Sequence, residues 1–222
     1  LPPLGGLLYF LRPGTTKLPL FPGVPLIGSD RRTVVDVLLY AGLLVSLVRA
    51  LVAPTPGFDE FLPIVIIVPV LGVLDKTTFL AARAEHYWVT VVCFAFATNW
   101  IAGAMAVQLA LWFFAGVSKL NHHFPTVVAV MTSNGPFTRF EWMRKLMYKS
   151  YPTDLRPSTL ASVMAHLGTL FELGVPIAFM LTPLGTPPVV AIVLMLMLHS
   201  YITSNVPMGV PIEWNVAVVY GG

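Results

Sequence analysis

Apolar residues fall along this chain in long runs, and polar and basic residues collect in the gaps between them. Thr33 to Ala53 is the first clear run, led in by Arg31 and Arg32 and stopped by Pro54 and Pro56. About 20 helical residues cross a ~30 Å hydrocarbon core, so this stretch is predicted to span a membrane. Phe61–Leu74 is shorter and interrupted by Pro63 and Pro69, which predicts a kinked or incomplete crossing. Thr77 to Lys119 is too long for one crossing and divides near Asn99 into Tyr87–Thr98 and Trp100–Ser118. The first of these is short unless it reaches back through Ala81–Glu85. Thr159–Leu181 and Pro188–Tyr201 are the next predicted spans, and Ile212–Tyr220 begins another. The expected fold class is all-α: a polytopic helical membrane protein with five or six membrane-inserted helices. Spanning strands are not expected, because backbone groups in lipid must be paired within the element.

The gaps have their own character. Residues 1–32 hold Pro2, Pro3, Pro13, Pro19, Pro22 and Pro25, which argues against one continuous helix and for an interfacial segment, with Leu7–Leu11 as a short helical or re-entrant piece. Residues 33–222 are expected to form one multi-helix transmembrane domain, a fragment of a longer protein. Residues 120–158 are polar and aromatic. Within them Phe137–Tyr151 is predicted as an amphipathic surface helix, with Phe140, Met143, Leu146 and Met147 opposite Arg139, Arg144, Lys145 and Lys149. These cations and Arg156 would place that gap in the cytoplasm by the positive-inside rule.

Composition confirms the class and removes others. The chain is 56% hydrophobic and 10% charged, with mean hydropathy +0.80, whereas soluble domains carry roughly 25% charged residues. The net charge of +3 is small and scattered, so nucleic acid is not an expected partner. Cys93 is the single cysteine and lies in an apolar run, which excludes an intrachain disulfide. There is no His-Glu-x-x-His or Cys-x-x-Cys pair, no phosphate loop at Gly5-Gly6 or Gly221-Gly222, and no Gly-x-Ser-x-Gly elbow. Neither a metal nor a nucleotide is expected.

Ionisable residues within membrane spans are costly and are candidates for function. Asp36 and Arg49 sit near the ends of their span and can reach the interface, which favours a structural role. Lys119 closes the run from Trp100. His86 begins an aromatic stretch with Tyr87 and Trp88. His122 and His123 are adjacent, so on a helix they diverge and make a poor metal pair. His166 and Glu172 fall within Leu160–Leu181; six positions apart, they face about 120° from each other and need partners on other helices. Gly168 and Gly174 leave room for a neighbouring backbone. His199, with Thr203, Ser204 and Asn205, forms a further polar patch at a span end.

Three segments carry a resemblance. Trp112-Phe113-Phe114-Ala115-Gly116-Val117-Ser118-Lys119-Leu120 resembles the Ala-Gly-Val-Lys-Lys-Leu segment of vitamin K-dependent γ-carboxylase. Glu85-His86-Tyr87 resembles that family's Asn-His-x-Tyr. Ala165-His166-Leu167-Gly168 with Leu170 and Glu172-Leu173 resembles its His-x-Gly-Gly-Leu-x-x-Asp-Leu run, and His199 followed by Asn205 is similar to a later helix. The ordered set covers about residues 77–220 and points to carboxylase-like, HTTM-like transmembrane domains, and within these to an actinobacterial transmembrane family. The resemblance implies that Lys119 is a base acting on a reduced quinone, with His86 and His166 as neighbours. Ser118 replaces the first lysine of the pair and Glu172 the aspartate. The family's large extramembrane region has no counterpart here, so carboxylation of protein glutamates is not implied.

Two functions from different classes follow. One is a membrane enzyme with catalytic Lys119, His86 and His166 on a quinol- or isoprenoid-like molecule; a quinone or another lipid would be the cofactor. The alternative is a non-catalytic scaffold or lipid-handling subunit of a larger complex. Membrane lipids and other membrane proteins are the expected partners, and the cell membrane, crossed several times, the expected location. A lysine serves as base only where desolvation favours its neutral form, so the catalytic reading expects Lys119 in an apolar cavity without a close carboxylate. Glu172 and His166 are both expected to face protein or water rather than lipid.

Overall fold

The computed structural model describes residues 8–25, 27–80, 83–183 and 188–205. The described residues are mainly helical: α1 (Val34–Val52), α2 (Phe58–Leu74), α3 (Thr77–Leu80), α4 (Ala84–Phe96), α5 (Trp100–Ser118), α6 (Phe124–Asn134), α7 (Glu141–Met147), α8 (Thr159–Leu181) and α9 (Val189–Ser204). Two short strands, β1 (Tyr148–Ser150) and β2 (Asp154–Pro157), lie between α7 and α8. Contacts group the chain into two compact units, one ending at Val107 and the other beginning at Gln108.

In the first unit α1 packs on α2, and α2 on α4. Thr33 starts α1 with a reciprocal cap: its hydroxyl accepts from the Asp36 backbone N–H, and its own N–H donates to the Asp36 carboxylate at 2.6 Å. Ala53, extended and followed by Pro54, ends it. α2 is longer than its predicted apolar run because Glu60 accepts from the Gly57 N–H at 3.0 Å and caps an earlier start. Pro63 and Pro69 lie inside α2 without dividing it. Pro69 has no N–H for the Val65 carbonyl four residues back; the Trp88 indole N–H of α4 donates to that carbonyl instead, at 2.9 Å.

The segment before α1 is fastened by buried charge. Lys17 pairs with Asp36 at 2.6 Å, and Arg32 pairs with Asp75, both pairs almost wholly shielded from solvent. The Arg32 guanidinium also lies 4.4 Å from the centroid of the Phe10 ring. Asp75 accepts from the Leu18 N–H and the Thr77 hydroxyl, while Leu20 and Lys76 add backbone bonds across the same seam. Residues 8–10, within the predicted piece Leu7–Leu11, are helical; Leu7 lies outside the described residues.

The second unit is built on α8. α6, α7 and α9 all pack against it, with one cluster at Ala129, Met147, Tyr148 and Ala161 and another at Trp112, Val175, Ala191 and Met195. The bounds of α5 and α8 match the predicted spans, and α9 matches to within a turn. Ile212–Tyr220 lies outside the described residues.

Two features depart from the sequence reading. Residues 124–134 form α6, where a polar gap is expected: Asn121 accepts from the His123 and Phe124 N–H groups, and Pro125 follows in the first turn. The predicted helix Phe137–Tyr151 is helical only over Glu141–Met147. Tyr148 turns extended and pairs with Pro157 in an antiparallel hairpin, and Met147 and Tyr148 both bury in one cluster with Ala129 and Ala161. The hairpin's three- and four-residue strands fall well short of the roughly nine to eleven needed to span.

Candidate ligand pocket

Lys119 and Glu172 meet in the second unit, and the local sequence explains why. On α5, Trp112, Ala115 and Gly116 are the buried positions and Lys119 follows one turn on, so these residues share a face. Gly116 makes the approach possible: a Cβ there would lie 2.9 Å from Leu173 and 3.2 Å from the Glu172 Cβ. On α8 the buried positions Ala161, Ala165, Thr169, Glu172 and Val175 recur at helical spacing and turn Glu172 inward.

Lys119 Nζ forms an ion pair with Glu172 Oε1. The Glu172 side chain is 3% exposed and that of Lys119 is 25% exposed. The other carboxylate oxygen, Oε2, is buried and accepts no hydrogen bond among the described residues. Lys119 Nζ also stands 5.5 Å from the centroid of the Phe124 ring.

The pair lies on the wall of a cavity of about 250 Å³. Phe124, Val128 and Met131 of α6, Met164, Leu167 and Phe171 of α8, and Leu198 and Ile202 of α9 make that wall largely apolar. Tyr201 also lines it, its hydroxyl bonded to Thr132 at 2.7 Å and so tying α9 to α6. A second cavity of about 480 Å³ opens between α8 and α9, lined by Leu170, Gly174, Ala178 and Val190. Phe171 borders both cavities. A Cβ at Gly168 or Gly174, one on each cavity, would meet nothing within 4 Å.

The other candidates are not among the residues that line this cavity. His166, expected to face protein or water, is exposed. It lies one position beyond buried Ala165, about 100° round the helix from the inward face. Lys119 has a carboxylate partner, against the expectation that it has none. A buried carboxylate left alone would cost several kcal/mol, and Lys119 is the cation that Gly116 brings to it. His199 is buried on the same stripe of α9 as Ala191 and Met195 and is not among the residues that line the cavity. His86 belongs to the first unit, buried on α4 with its ring 4.6 Å from that of Tyr87. The rings of His122 and His123 lie 3.7 Å apart, tilted at 44°, and both residues are exposed. No group of three metal-ligating side chains occurs among the described residues.

Sequence reading missed the buried charges Lys17, Arg32 and Asp75. Their signal was faint, because each lies in a gap where an exposed charge is the ordinary expectation.

Among the described residues three helices, α1, α5 and α8, are long and apolar enough to cross a membrane. Their sides carry exposed leucine, valine and phenylalanine (Val45, Leu51, Phe114, Leu170 and Leu181 among them), a surface suited to acyl chains rather than water. With the match that follows, this defines a helical membrane protein. The chain belongs to a family described as transmembrane protein of unknown function, DUF3556, whose pattern matches residues 1–222. No curated protein and no solved structure matches the chain.

Proposed function

We propose that this chain is a multi-pass protein of the cell membrane that holds a lipid-soluble molecule, with the polar end at Lys119 and Glu172. The observation that carries this is the partly exposed Lys119 ammonium, paired with buried Glu172 on the wall of an otherwise apolar cavity. An ammonium has N–H donors beyond the one given to Oε1, and a bound polar group can meet them. On this reading α1, α2, α4, α5, α8 and α9 are the membrane-inserted helices. Phe137, Phe140, Trp142 and Leu146, exposed near Arg139, Lys145 and Lys149, rest at the lipid–water boundary. Lipids are then both surroundings and ligand, and membrane-protein partners would exchange that ligand.

The test fills the cavity from a position with room to spare. Gly168→Leu places a side chain where a Cβ meets nothing, so the variant should fold while excluding the ligand. The wild-type chain, purified in mild detergent, is expected to carry a lipid into native mass spectrometry that Gly168→Leu lacks. Equal lipid on both chains would remove the proposal.

A catalytic version keeps some support, because Lys119 lines the cavity and is partly exposed within it. It gives Lys119 the role of base, with His86 and His166 as assistants. An ion pair, however, is made by an ammonium, and a base must be the free amine. Lys119→Arg keeps the pair and cannot supply a free base. Chemical conversion of the bound lipid by the wild-type chain, lost in Lys119→Arg, is the result this version requires.

A further inference from the structure

Four residues of the first unit line a cavity of about 310 Å³: Pro56 in the link between α1 and α2, Phe61 in the first turn of α2, Phe94 in the last turn of α4, and Trp100 at the start of α5. The packing of α2 on α4 sets Phe61 beside Phe94. A short turn then returns the chain at Trp100, where Asn99 accepts from the Ala102 N–H at 3.1 Å and starts α5. The Phe94 ring centroid lies 5.6 Å from that of Phe61 and 5.5 Å from that of Trp100, with planes inclined by 44° and 83°. Rings stacked in parallel would cover one another's faces. These three do not, so ring faces are left for the cavity that they line. Trp100 is 51% exposed and can be reached from outside.

The face of an aromatic ring is negative and attracts a cation within about 6 Å of its centroid. At other rings among the described residues the chain supplies that cation itself: Arg32 to Tyr9 and Phe10, Lys119 to Phe124, Arg144 to Tyr151. Among the same residues it supplies none to Phe61, Phe94 or Trp100. The neighbouring charge favours one. Asp59 and Glu60 lead into Phe61; Glu60 is paired with Arg49 at 3.1 Å, while Asp59 is exposed and has no ion-pair partner among the described residues.

The walls decide which cation fits. Pro56, Phe61 and Phe94 have carbon side chains, and the Trp100 indole has a donor but no acceptor. Against them a primary ammonium would leave its N–H groups unmet, and a metal ion would find no oxygen ligands. A trimethylammonium group has no N–H to satisfy, and its methyls suit apolar walls. The cavity volume falls in the range of about 300–1,000 Å³ usual for small-molecule sites.

We infer that Pro56, Phe61, Phe94 and Trp100 form a cage that binds a trimethylammonium group, carried by a lipid head or by a small soluble molecule. The cage is a different site from the Lys119 cavity, and the test of one does not decide the other.

The test labels the whole chain with 5-fluorotryptophan in dodecyl maltoside, the Trp100 fluorine resonance being the one missing from Trp100→Phe. Choline is titrated beside 3,3-dimethylbutanol, its neutral carbon isostere, and ethanolamine, its primary amine. Choline is expected to shift the Trp100 resonance saturably, at about tenfold lower concentration than either of the others. Phe94→Leu, which removes the middle ring, should abolish the shift. The three ligands are compared on a chain with no substitution, so that result requires no variant to fold. Phosphatidylcholine and phosphatidylglycerol with the same acyl chains, added to the micelles, separate the two sources. Competition with choline by phosphatidylcholine alone supports a lipid head, and competition by neither lipid supports a soluble molecule. Equal competition by both lipids would mean that acyl chains fill the cavity, and overturns the inference. It is also overturned if the neutral isostere matches choline, or if neither choline nor phosphatidylcholine moves the Trp100 resonance.

Discussion

Gly116 and Asp154 show how single residues decide local outcomes. Gly116 sets the distance at which α5 meets α8, and a branched side chain there must push Leu173 and the Glu172 Cβ aside. Gly116→Val is expected to destabilise the second unit by about 1–3 kcal/mol, as overpacking does, and to part Lys119 from Glu172. A fall in thermal midpoint of the detergent-solubilised chain, together with loss of any lipid it carries, checks both effects. Asp154 lies outside the spans, on β2. Hydrogen bonds from the Arg156 side chain, then its backbone N–H, hold the Asp154 carboxyl down to about 2, against an ordinary value of 3.8. Because the folded value is the lower one, the contribution to stability is fully present above the unfolded value and is lost as pH falls through about 2. Carbon-detected NMR should find the midpoint near 2 in the wild-type chain and well above it, toward 3.8, in Arg156→Gln. At this scale the sequence told part of the story. The spacing of His166 and Glu172 required their partners to be on different helices, and Glu172 has one on α5. It could not tell which of the two faced inward, because that depends on the register of α8 against α6 and α9.

Elements were more legible than residues, and α2 shows both the reach and the limit. Two prolines in an apolar run predict a kinked or incomplete crossing, and α2 runs unbroken from Phe58 to Leu74. The difference is Trp88, whose indole N–H supplies the Val65 carbonyl with the donor that Pro69 lacks. No local pattern contains that information, since the two residues lie on separate helices. Trp88→Phe should therefore leave a buried carbonyl orphaned and cost about 1–3 kcal/mol. In a Pro69→Ala background, where the restored backbone N–H donates to that carbonyl, the same change should cost measurably less. Chemical unfolding of the four proteins in detergent reads the coupling directly, and strictly additive effects would exclude the compensation. The long spans α1, α5 and α8 were legible because a uniformly apolar run of that length has few soluble alternatives. The α6 helix and the β1–β2 hairpin were not: α6 is a short apolar stretch inside a segment read as polar, and burial of Ala129, Met147 and Tyr148 in one cluster goes with both.

Across the whole molecule the separation between what water sees and what it does not is sharp. Apolar side chains line the outside of the long helices, while charges are buried in pairs: Lys17 with Asp36, Arg32 with Asp75, and Lys119 with Glu172. Such pairs are strongly destabilising to break, since the survivor is an uncompensated charge. Asp75→Asn is expected to lower stability by about 3–5 kcal/mol and to loosen residues 8–32, seen as faster proteolysis before α1. The membrane placement has its own check. Cys93, the only cysteine in the sequence, lies within α4 and should resist a membrane-impermeant maleimide in intact vesicles, whereas Ser150→Cys on the hairpin should react. Ready labelling of Cys93 from the aqueous side would argue against α4 lying in lipid.

The two glycines of α8 that face empty space have a practical corollary. Each weakens a helix interior by about 1 kcal/mol relative to alanine, and neither has a neighbour within 4 Å of its missing Cβ that would forbid a larger residue. Substitutions at Gly168 and Gly174 that fill the voids should therefore make the protein hardier. Anyone selecting heat-resistant variants for easier handling would be drawn first to the changes that stop it holding anything.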